Sequence, residues 1–384
     1  MTAEFVVDTV DPEIEISGFT AANKDRVAPV IKSSDENYSE WELRLTRNGE
    51  ECTLKTDDGA GTFTFAVPGT GKTISGHWET LDSGKTRRFT FDDFPHEEAF
   101  DGAYKLTLTV TDQSGRKTSE TGEFTVNRFG SVFTVTDYEE INRKHLPQAQ
   151  DIEIVERNVD LHADDSEIIV VVDKGSATVQ LKDDDYTVSE PVLLDDKSGY
   201  EYTYIIKAEN FSQDLDYKIT ISTTDAAGNA NVSTNRGAEL DFTVDTHVPE
   251  FICDDLFDRA EYRESEKEFR LNVNEPLRSI RVTTSDNEVL LDEEDDSLLG
   301  LSDTSFSFSV PASNNSRMIT VELQDLAGNT TKKEFENLLV TENMALYMLH
   351  KTWVRKVGTG GLAGVGGIGA FLGIRNVRRK KNGF

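Results

Sequence analysis

Cysteine is scarce in this chain. Cys52 and Cys253 are the only two among 384 residues, and they lie far apart in the sequence. A disulfide-stabilised domain needs its cysteines paired within that domain. A disulfide framework inside individual domains is therefore excluded, and we interpret both residues as small apolar side chains.

Basic residues are also few. The sequence holds 40 Lys and Arg against 71 Asp and Glu, which gives a formal net charge of −31. Binding to a phosphate backbone needs clustered Lys and Arg, so a general nucleic-acid role is excluded. The C-terminal end differs, since eight basic residues and no acid occur from Lys351 onward. We interpret it as a separate functional region.

Helical periodicity is nearly missing, and the alternation typical of strands takes its place. Leu106, Leu108 and Val110 alternate with polar neighbours, which is the two-residue period of a sheet with one buried face. Ile168 to Val172 is an unbroken apolar run, which predicts a central strand buried on both sides. Many short strands separated by turn signals predict an all-β chain of antiparallel sandwiches.

A two-part sequence mark repeats along the chain. Each Asp-x-x-Gly turn, beginning at Asp112, Asp225 and Asp325, is followed by a closing strand. The glycine fits a left-handed position of a hairpin loop, with the aspartate accepting backbone hydrogen bonds. The closing strands are Phe124–Asn127, Phe242–Asp245 and a looser copy from Phe335 to Val340, and a further copy stands at Phe5–Asp8. Repetition at a domain-sized period predicts an array of similar modules.

The repeats set the predicted boundaries. Residues 1–10 are the end of a preceding repeat, and the first, second and third modules cover residues 11–127, 128–245 and 246–341. A short helix is expected over 342–356, a transmembrane segment over 357–374 and a basic cytoplasmic tail over 375–384. The 357–374 segment has no charge and precedes basic residues, as a stop-transfer segment requires. Eight of its residues are Gly, so a flexible glycine-rich tail is the alternative.

Several motifs suggest chemistry without its usual context. Pro68–Thr73 lies in a near-phosphate-loop sequence, but no helix pattern of adequate length follows, so we interpret it as a loop between strands. The acidic runs, of which Asp292–Asp296 is the longest, lack helix-loop-helix calcium spacing and are interpreted as solvated loops. The remaining option is a weak calcium site at a module boundary, near Asp8 and Asp11 or near Asp245. The six histidines show no metal-ligand spacing. We therefore expect no catalytic residue, no cofactor and no enzyme activity, and the metal content is unknown.

The start of the chain has no basic and apolar signal sequence. Together with the closing strand at Phe5, this suggests the C-terminal piece of a longer protein.

The run from Asp225 to Glu250, an Asp-x-x-Gly-Asn turn followed by Phe-Thr-Val-Asp and then Pro-Glu, resembles the bacterial Ig-like repeats of large Gram-positive surface proteins. The glycine-rich segment with its basic tail is similar to their membrane anchors. One departure is Asn127-Arg128-Phe129-Gly130, which replaces an Asp-x-x-x-Pro junction. No Leu-Pro-x-Thr-Gly sorting signal precedes the anchor.

The resemblance implies tandem Ig-like sandwiches followed by a transmembrane helix. It implies a non-catalytic extracellular stalk, single-pass in the cell membrane with its C-terminus cytoplasmic, that holds an N-terminal functional region away from the membrane. The alternative is an adhesin whose modules bind carbohydrate or host protein. Such binding needs exposed aromatic side chains, and Trp41, Trp78 and Tyr38 are the candidates.

Overall fold

The computed structural model describes residues 8–351. The chain divides into two compact units, the first extending to His247 and the second beginning at Val248. Antiparallel sheets dominate both units, which confirms the predicted all-β class of the described residues. The first unit contains the first and second modules.

The first module is a pair of sheets that enclose a phenylalanine-rich core. One sheet has the order β1-β3-β9-β8-β7-β6 and the other β2-β11-β10-β4-β5. Leu106, Leu108 and Val110 on β10 are fully buried, as their alternation predicts. The strands are β1 (Glu13–Ser17), β2 (Ala22–Asn23), β3 (Val30–Ser34), β4 (Tyr38–Arg47), β5 (Glu50–Glu51), β6 (Thr53–Asp57), β7 (Thr62–Val67), β8 (Lys72–Leu81), β9 (Thr86–Phe91), β10 (Gly102–Asp112) and β11 (Lys117–Val126).

The second module also has two sheets. One has the order β12-β14-β19-β17 with β18 beside β19, and the other has the order β13-β22-β20-β15-β16 with β21 beside β20. The strands are β12 (Val132–Val135), β13 (His145–Leu146), β14 (Ile152–Asn158), β15 (Ile169–Lys174), β16 (Ala177–Gln180), β17 (Tyr186–Val188), β18 (Val192–Leu193), β19 (Tyr200–Ile206), β20 (Asp216–Thr224), β21 (Ala230–Val232) and β22 (Leu240–Val244), and the short helix α1 covers Tyr138–Ile141.

One strand of the second module differs from its prediction. Val170 and Val172 on β15 are fully buried, but Ile169 and Val171 on its other face are only partly covered. The apolar run therefore belongs to a strand with one core face. An unbroken apolar sequence does not by itself show that both faces of a strand are covered.

The third module lies in the second unit and packs its own core around Phe269, Phe308 and Val321. Its sheets have the orders β23-β25-β28 and β24-β30-β29-β26-β27. The strands are β23 (Phe251–Ile252), β24 (Glu261–Tyr262), β25 (Glu266–Val273), β26 (Leu277–Thr284), β27 (Val289–Glu294), β28 (Ser305–Pro311), β29 (Arg317–Asp325) and β30 (Thr330–Val340). A helix follows over residues 344–351. Asn343 caps it, because the Asn343 Oδ1 accepts the Ala345 N–H at 2.9 Å.

The repeated turn has the predicted geometry in all three modules. Gly115, Gly228 and Gly328 have φ angles of +86°, +84° and +91°, which glycine adopts without a Cβ penalty. In each turn the aspartate Oδ1 accepts the backbone N–H four residues later at 2.8 Å. The aspartates are also almost completely buried, so they are not ordinary surface turn residues.

The near-phosphate-loop is a tight turn between two antiparallel strands. Pro68–Gly71 connects β7 to β8, and Lys72 and Thr73 already belong to β8. Lys72 forms a salt bridge with Glu97. No helix follows the turn, so the requirements of a phosphate loop are not met.

In the described part of the chain, no helix combines the length and apolarity needed to cross a bilayer. The predicted transmembrane segment at 357–374 and the basic tail at 375–384 lie outside the described residues, as does Phe5 of the first closing strand.

Candidate functional site

The most unusual feature of the first unit is a buried polar network where the first and second modules meet. Asn127, the last residue of the first module, is fully buried and lies at its centre. Its backbone N–H donates to the Asn23 carbonyl at 2.8 Å, which ties it to the first module. Its side chain reaches into the second module.

The Asn127 amide makes contacts on both of its sides. Nδ2 donates to Asn158 Oδ1 at 2.7 Å and to carboxylate oxygens of Asp160 and Asp225 at 3.0 Å each. On the other side, Asn127 Oδ1 accepts the Gly130 N–H at 3.1 Å. Acceptors on one side and a donor on the other fix the orientation of the amide.

Asp225 brings the repeated turn into this network. Its Oδ2 accepts side-chain amides from Asn127, Asn158 and Asn229 at 3.0 Å, with Asn231 at 3.4 Å. The carboxylate is fully buried. Among the described residues no Lys or Arg is hydrogen-bonded to it, so neutral amides stabilise its charge. We call Asn127, Asn158, Asp160, Asp225, Asn229 and Asn231 the amide cluster.

Asp160 is the second carboxylate of the amide cluster. Burial raises its pKa, the hydrogen bonds from Thr125 and Asn127 lower it, and the charge of Asp225 raises it, so that the pKa stands above its usual range. Thr125 lies on β11 of the first module. The bond from Thr125 to Asp160 is therefore another link between the two modules.

A second buried group adjoins the amide cluster through Ser131 and Asn158. Glu156 has no solvent exposure. Its Oε1 accepts Ser131 and Thr223 hydroxyls, and its Oε2 contacts His162 Nε2 at 3.0 Å and the Tyr204 hydroxyl. Burial acts to raise the pKa of Glu156, but the hydrogen bonds from His162, Ser131 and Tyr204 outweigh it and lower the pKa. We call these five residues the Glu156 cluster.

The linker between the modules is held on the side of the first module. Asp101 Oδ2 accepts the N–H groups of Arg128 and Phe129 at 2.9 and 3.1 Å. The Arg128 side chain is only 4% exposed, and its guanidinium donates to the Phe94 and Pro95 carbonyls at 3.1 and 3.2 Å. Lys24 crosses to the second module and donates to the Gly228 carbonyl at 2.6 Å. The linker thus has few free backbone groups with which to bend.

The junction contains groups familiar from catalysis, but the serine and the histidine do not contact each other in the way a nucleophile and its base do. Ser131 and His162 both contact Glu156 on opposite oxygens, so the serine hydroxyl donates to the carboxylate and not to the imidazole. His162 also stacks on Tyr202, with ring centroids 3.9 Å apart. Ser131 and Glu156 are at most 2% exposed, so a substrate has no access to them.

Two groups of side chains in the first unit could hold a cation. Ligand atoms of Asp8, Asp35 and Asp112 lie within 4.8 Å of one another, as do those of Asp214, Asp245 and His247. Of the residues considered from the sequence, Asp8 and Asp245 belong to these groups. Asp11 instead forms an ion pair with Arg116 at 2.8 Å.

The aromatic residues proposed for ligand binding pack on the core of the first module. Trp41 lies 4.9 Å from Phe89 and 6.2 Å from Trp78, measured between ring centroids. Arg87 covers the rings of Tyr38 and Trp78 at 5.1 and 5.3 Å. All three aromatic side chains are only partly exposed.

Comparisons with known proteins add a description of similar folds. No protein-family model matches the chain, and no curated protein matches it. One similar solved structure is a tetra-tandem repeat from the extending region of a large adhesion protein. It has 15% identity and a TM-score of 0.30, and the match covers 84% of this chain and 72% of that one.

Another similar structure is a Bacteroides ovatus protein, SGBP-B of a mixed-linkage glucan utilization locus, in complex with a mixed-linkage heptasaccharide. It has 14% identity and a TM-score of 0.18, and covers 87% of this chain and 71% of that one. TM-scores this low give no argument about the function of this chain.

Sequence reasoning did not find the junction. Asn127, Asn158 and Asp225 lie on different strands or loops, and nothing local indicates that they meet. Two sequence features mark residues of the junction without indicating their contact. One is the departure from the repeat pattern at Asn127–Gly130, and the other is the aspartate that recurs in each turn.

Proposed function

We propose that this chain is a non-catalytic extracellular stalk of a bacterial surface protein, anchored in the membrane by its C-terminal segment. It holds an N-terminal functional region away from the membrane. The observation that carries the proposal is the buried junction of the first two modules. A stalk works only if its modules do not fold back on each other, and this junction opposes bending.

The physical support is the cost of opening the junction. Bending at the linker separates Asn127 from Asp160 and Asp225, and leaves buried carboxylates without donors. Each unsatisfied buried polar group costs about 1–3 kcal/mol, and more when it is charged. A hinge between domains is typically a polar, solvated linker with few contacts, and the Asn127–Gly130 linker has the opposite character.

The strongly acidic surface fits this role. A net charge of −31 keeps neighbouring copies apart in a dense surface layer and opposes association. The burial of both Ser131 and Glu156, and the strand-to-strand turn at Pro68–Gly71, support a function without catalysis.

One surface of the second module bears on the alternative function, an adhesin that binds carbohydrate or host protein. A hollow of 590 Å³ lies on the outer face of the second-module sheet with the order β13-β22-β20-β15-β16. Its polar lining includes Arg143, Asp173 and Lys218, while the bordering Tyr217 and Phe242 are buried. Carbohydrate sites commonly use an exposed aromatic ring for stacking, so this surface gives the alternative less support.

Small-angle X-ray scattering of the detergent-solubilised chain tests the stalk. A compact globule of 384 residues would have a radius of gyration of about 21 Å. A stalk requires a clearly larger radius and a skewed distance distribution. A radius near the globular value would contradict the proposal.

A further inference from the structure

The position of Asn127 in the repeat explains why its amide matters. Three of the four closing strands end in Asp8, Asn127 and Asp245, and among these three asparagine stands in place of aspartate at the junction of the first and second modules. After Asp8 and after Asn127, the module that follows supplies a buried turn aspartate, which is Asp112 in the first case and Asp225 in the second.

The two positions differ in what surrounds the turn aspartate. Asp8 and Asp112 form a group of carboxylates with Asp35, whose oxygens lie within 4.8 Å of one another, and Asn37 Nδ2 donates to Asp8 Oδ2 at 2.6 Å. Like charges at this separation repel unless a cation or a donor stands between them. At Asn127 a nitrogen takes that place, and it lies 3.0 Å from the Asp225 carboxylate.

The surroundings of the Asn127 nitrogen resemble a coordination shell. Three oxygens converge on Nδ2, from Asn158 at 2.7 Å and from Asp160 and Asp225 at 3.0 Å each. Calcium takes about six to eight oxygens, carboxylate and amide oxygens among them, at about 2.3–2.6 Å, so these three oxygens would supply part of the donor set that a calcium ion needs. The amide has two hydrogens for three acceptors, so at least one hydrogen is shared between two of these oxygens.

We propose that the amide nitrogen of Asn127 is a built-in substitute for a divalent cation. The junction of the first and second modules therefore holds without metal, and an aspartate at position 127 would make the same junction depend on a cation. This inference rests on the proposed stalk function for the biological reason why the junction is rigid. The hydrogen bonds of Asn127 do not depend on that function.

Hydrogen exchange of the linker tests the proposal on the full chain. The amides of Arg128, Phe129, Gly130 and Ser131 donate to Asp101, Asn127 and Asn231, all within the junction. Exchange is followed by mass spectrometry on the peptide that contains them, in EDTA and in millimolar calcium. In the unmodified chain we expect equal protection under both conditions, to within about twofold.

The variant Asn127→Asp places a third carboxylate beside Asp160 and Asp225. In EDTA we expect linker exchange at least about tenfold faster than in the unmodified chain, with protection restored by calcium. The control is Asn272→Asp, which makes the same charge change at an exposed residue of β25. It should leave linker exchange unchanged.

Three results would overturn the proposal. One is faster linker exchange of the unmodified chain in EDTA, which needs no variant to fold. The second is a linker in Asn127→Asp that is protected both in EDTA and in calcium. The third is a linker in Asn127→Asp that exchanges fast under both conditions. A compact scattering profile with a protected, metal-independent linker would instead reject the stalk and leave the role of Asn127 intact.

Discussion

Replacing Glu156 by glutamine tests how much the buried charge stabilises the second module next to the junction. The carboxylate accepts from Ser131 and Thr223 on one oxygen and from His162 and Tyr204 on the other. Glutamine keeps the shape and one acceptor oxygen, but turns an NH2 group toward two of these donors. Hydrogen bonds to charged groups contribute about 1.5–3 kcal/mol each, and rotation of the hydroxyls recovers part of the loss. We expect a loss of about 3 kcal/mol.

The assay is differential scanning calorimetry of the full chain. For a unit the size of residues 1–247, about 1 kcal/mol shifts Tm by 2–4 °C, so Glu156→Gln should lower the first-unit transition by about 6–12 °C. The control is Glu153→Gln on the same strand, where Glu153 accepts an exposed hydrogen bond from Thr136 at 2.7 Å. The reasoning is refuted if Glu156→Gln melts together with this control.

The same variant has a defined pH dependence. The pKa of Glu156 is lowered in the folded state from 4.5, so the charged group contributes stability that is complete above the unfolded pKa. This contribution is lost as pH falls through the folded pKa. The Tm difference between the unmodified chain and Glu156→Gln should therefore be constant at neutral pH and shrink only below about pH 4.5.

Three further predictions concern the linker, a buried acid and the loop at Pro68. Gly130→Ala should destabilise the first unit more than Gly115→Ala in urea unfolding. Both residues have positive φ, but a Cβ at Gly130 would lie 2.2 Å from Asn231 Oδ1, while a Cβ at Gly115 would meet open space. Equal losses of unfolding free energy in the two variants would contradict this prediction. Burial raises the pKa of Asp101 to about 6 from 3.8, so the folded state binds the proton more tightly and the first unit should gain stability as pH falls from about 6 to 4. Asp160, whose pKa is also raised, contributes in the same direction. Asp101→Asn should therefore reduce this gain in calorimetry, and an undiminished gain would contradict the assignment to Asp101. Calorimetric titration with MgATP should give no binding heat, because Pro68–Gly71 joins two strands. A saturable binding heat that disappears in the Lys72→Ala variant would show that the loop binds nucleotide.

The sequence predicted the repeated elements of the fold because their signals are local. Asp112 and Gly115 define a turn within four residues, and the alternation at Leu106–Val110 lies within one strand. The two-residue strands β2 and β5 have no periodicity to detect. The bounds of β8 are also hard to detect, because Gly76 and several polar residues interrupt its alternation.

The junction could not be derived in the same way, because its contacts depend on tertiary structure. Asn127 and Asp225 are 98 residues apart in the sequence, and they meet through the register of β11, β14 and β20. An asparagine that follows a strand predicts a turn when only the sequence is considered. Its role at the junction follows from the residues that surround it in the folded structure. The burial of Asp225 likewise follows from packing between two modules.

We expect the first two modules to move as one rigid body, and a distance measurement between them tests this most directly. Spin labels are placed by Lys55→Cys on β6 and Gln180→Cys on β16, which are exposed positions, in a Cys253→Ser background. Cys52 is 2% exposed, and burial raises its pKa to about 11, so it stays unlabelled at neutral pH. Double electron–electron resonance should give a single narrow distance distribution that broadens when Asn127→Ala is added. A broad or multiple distribution without that substitution would contradict the account.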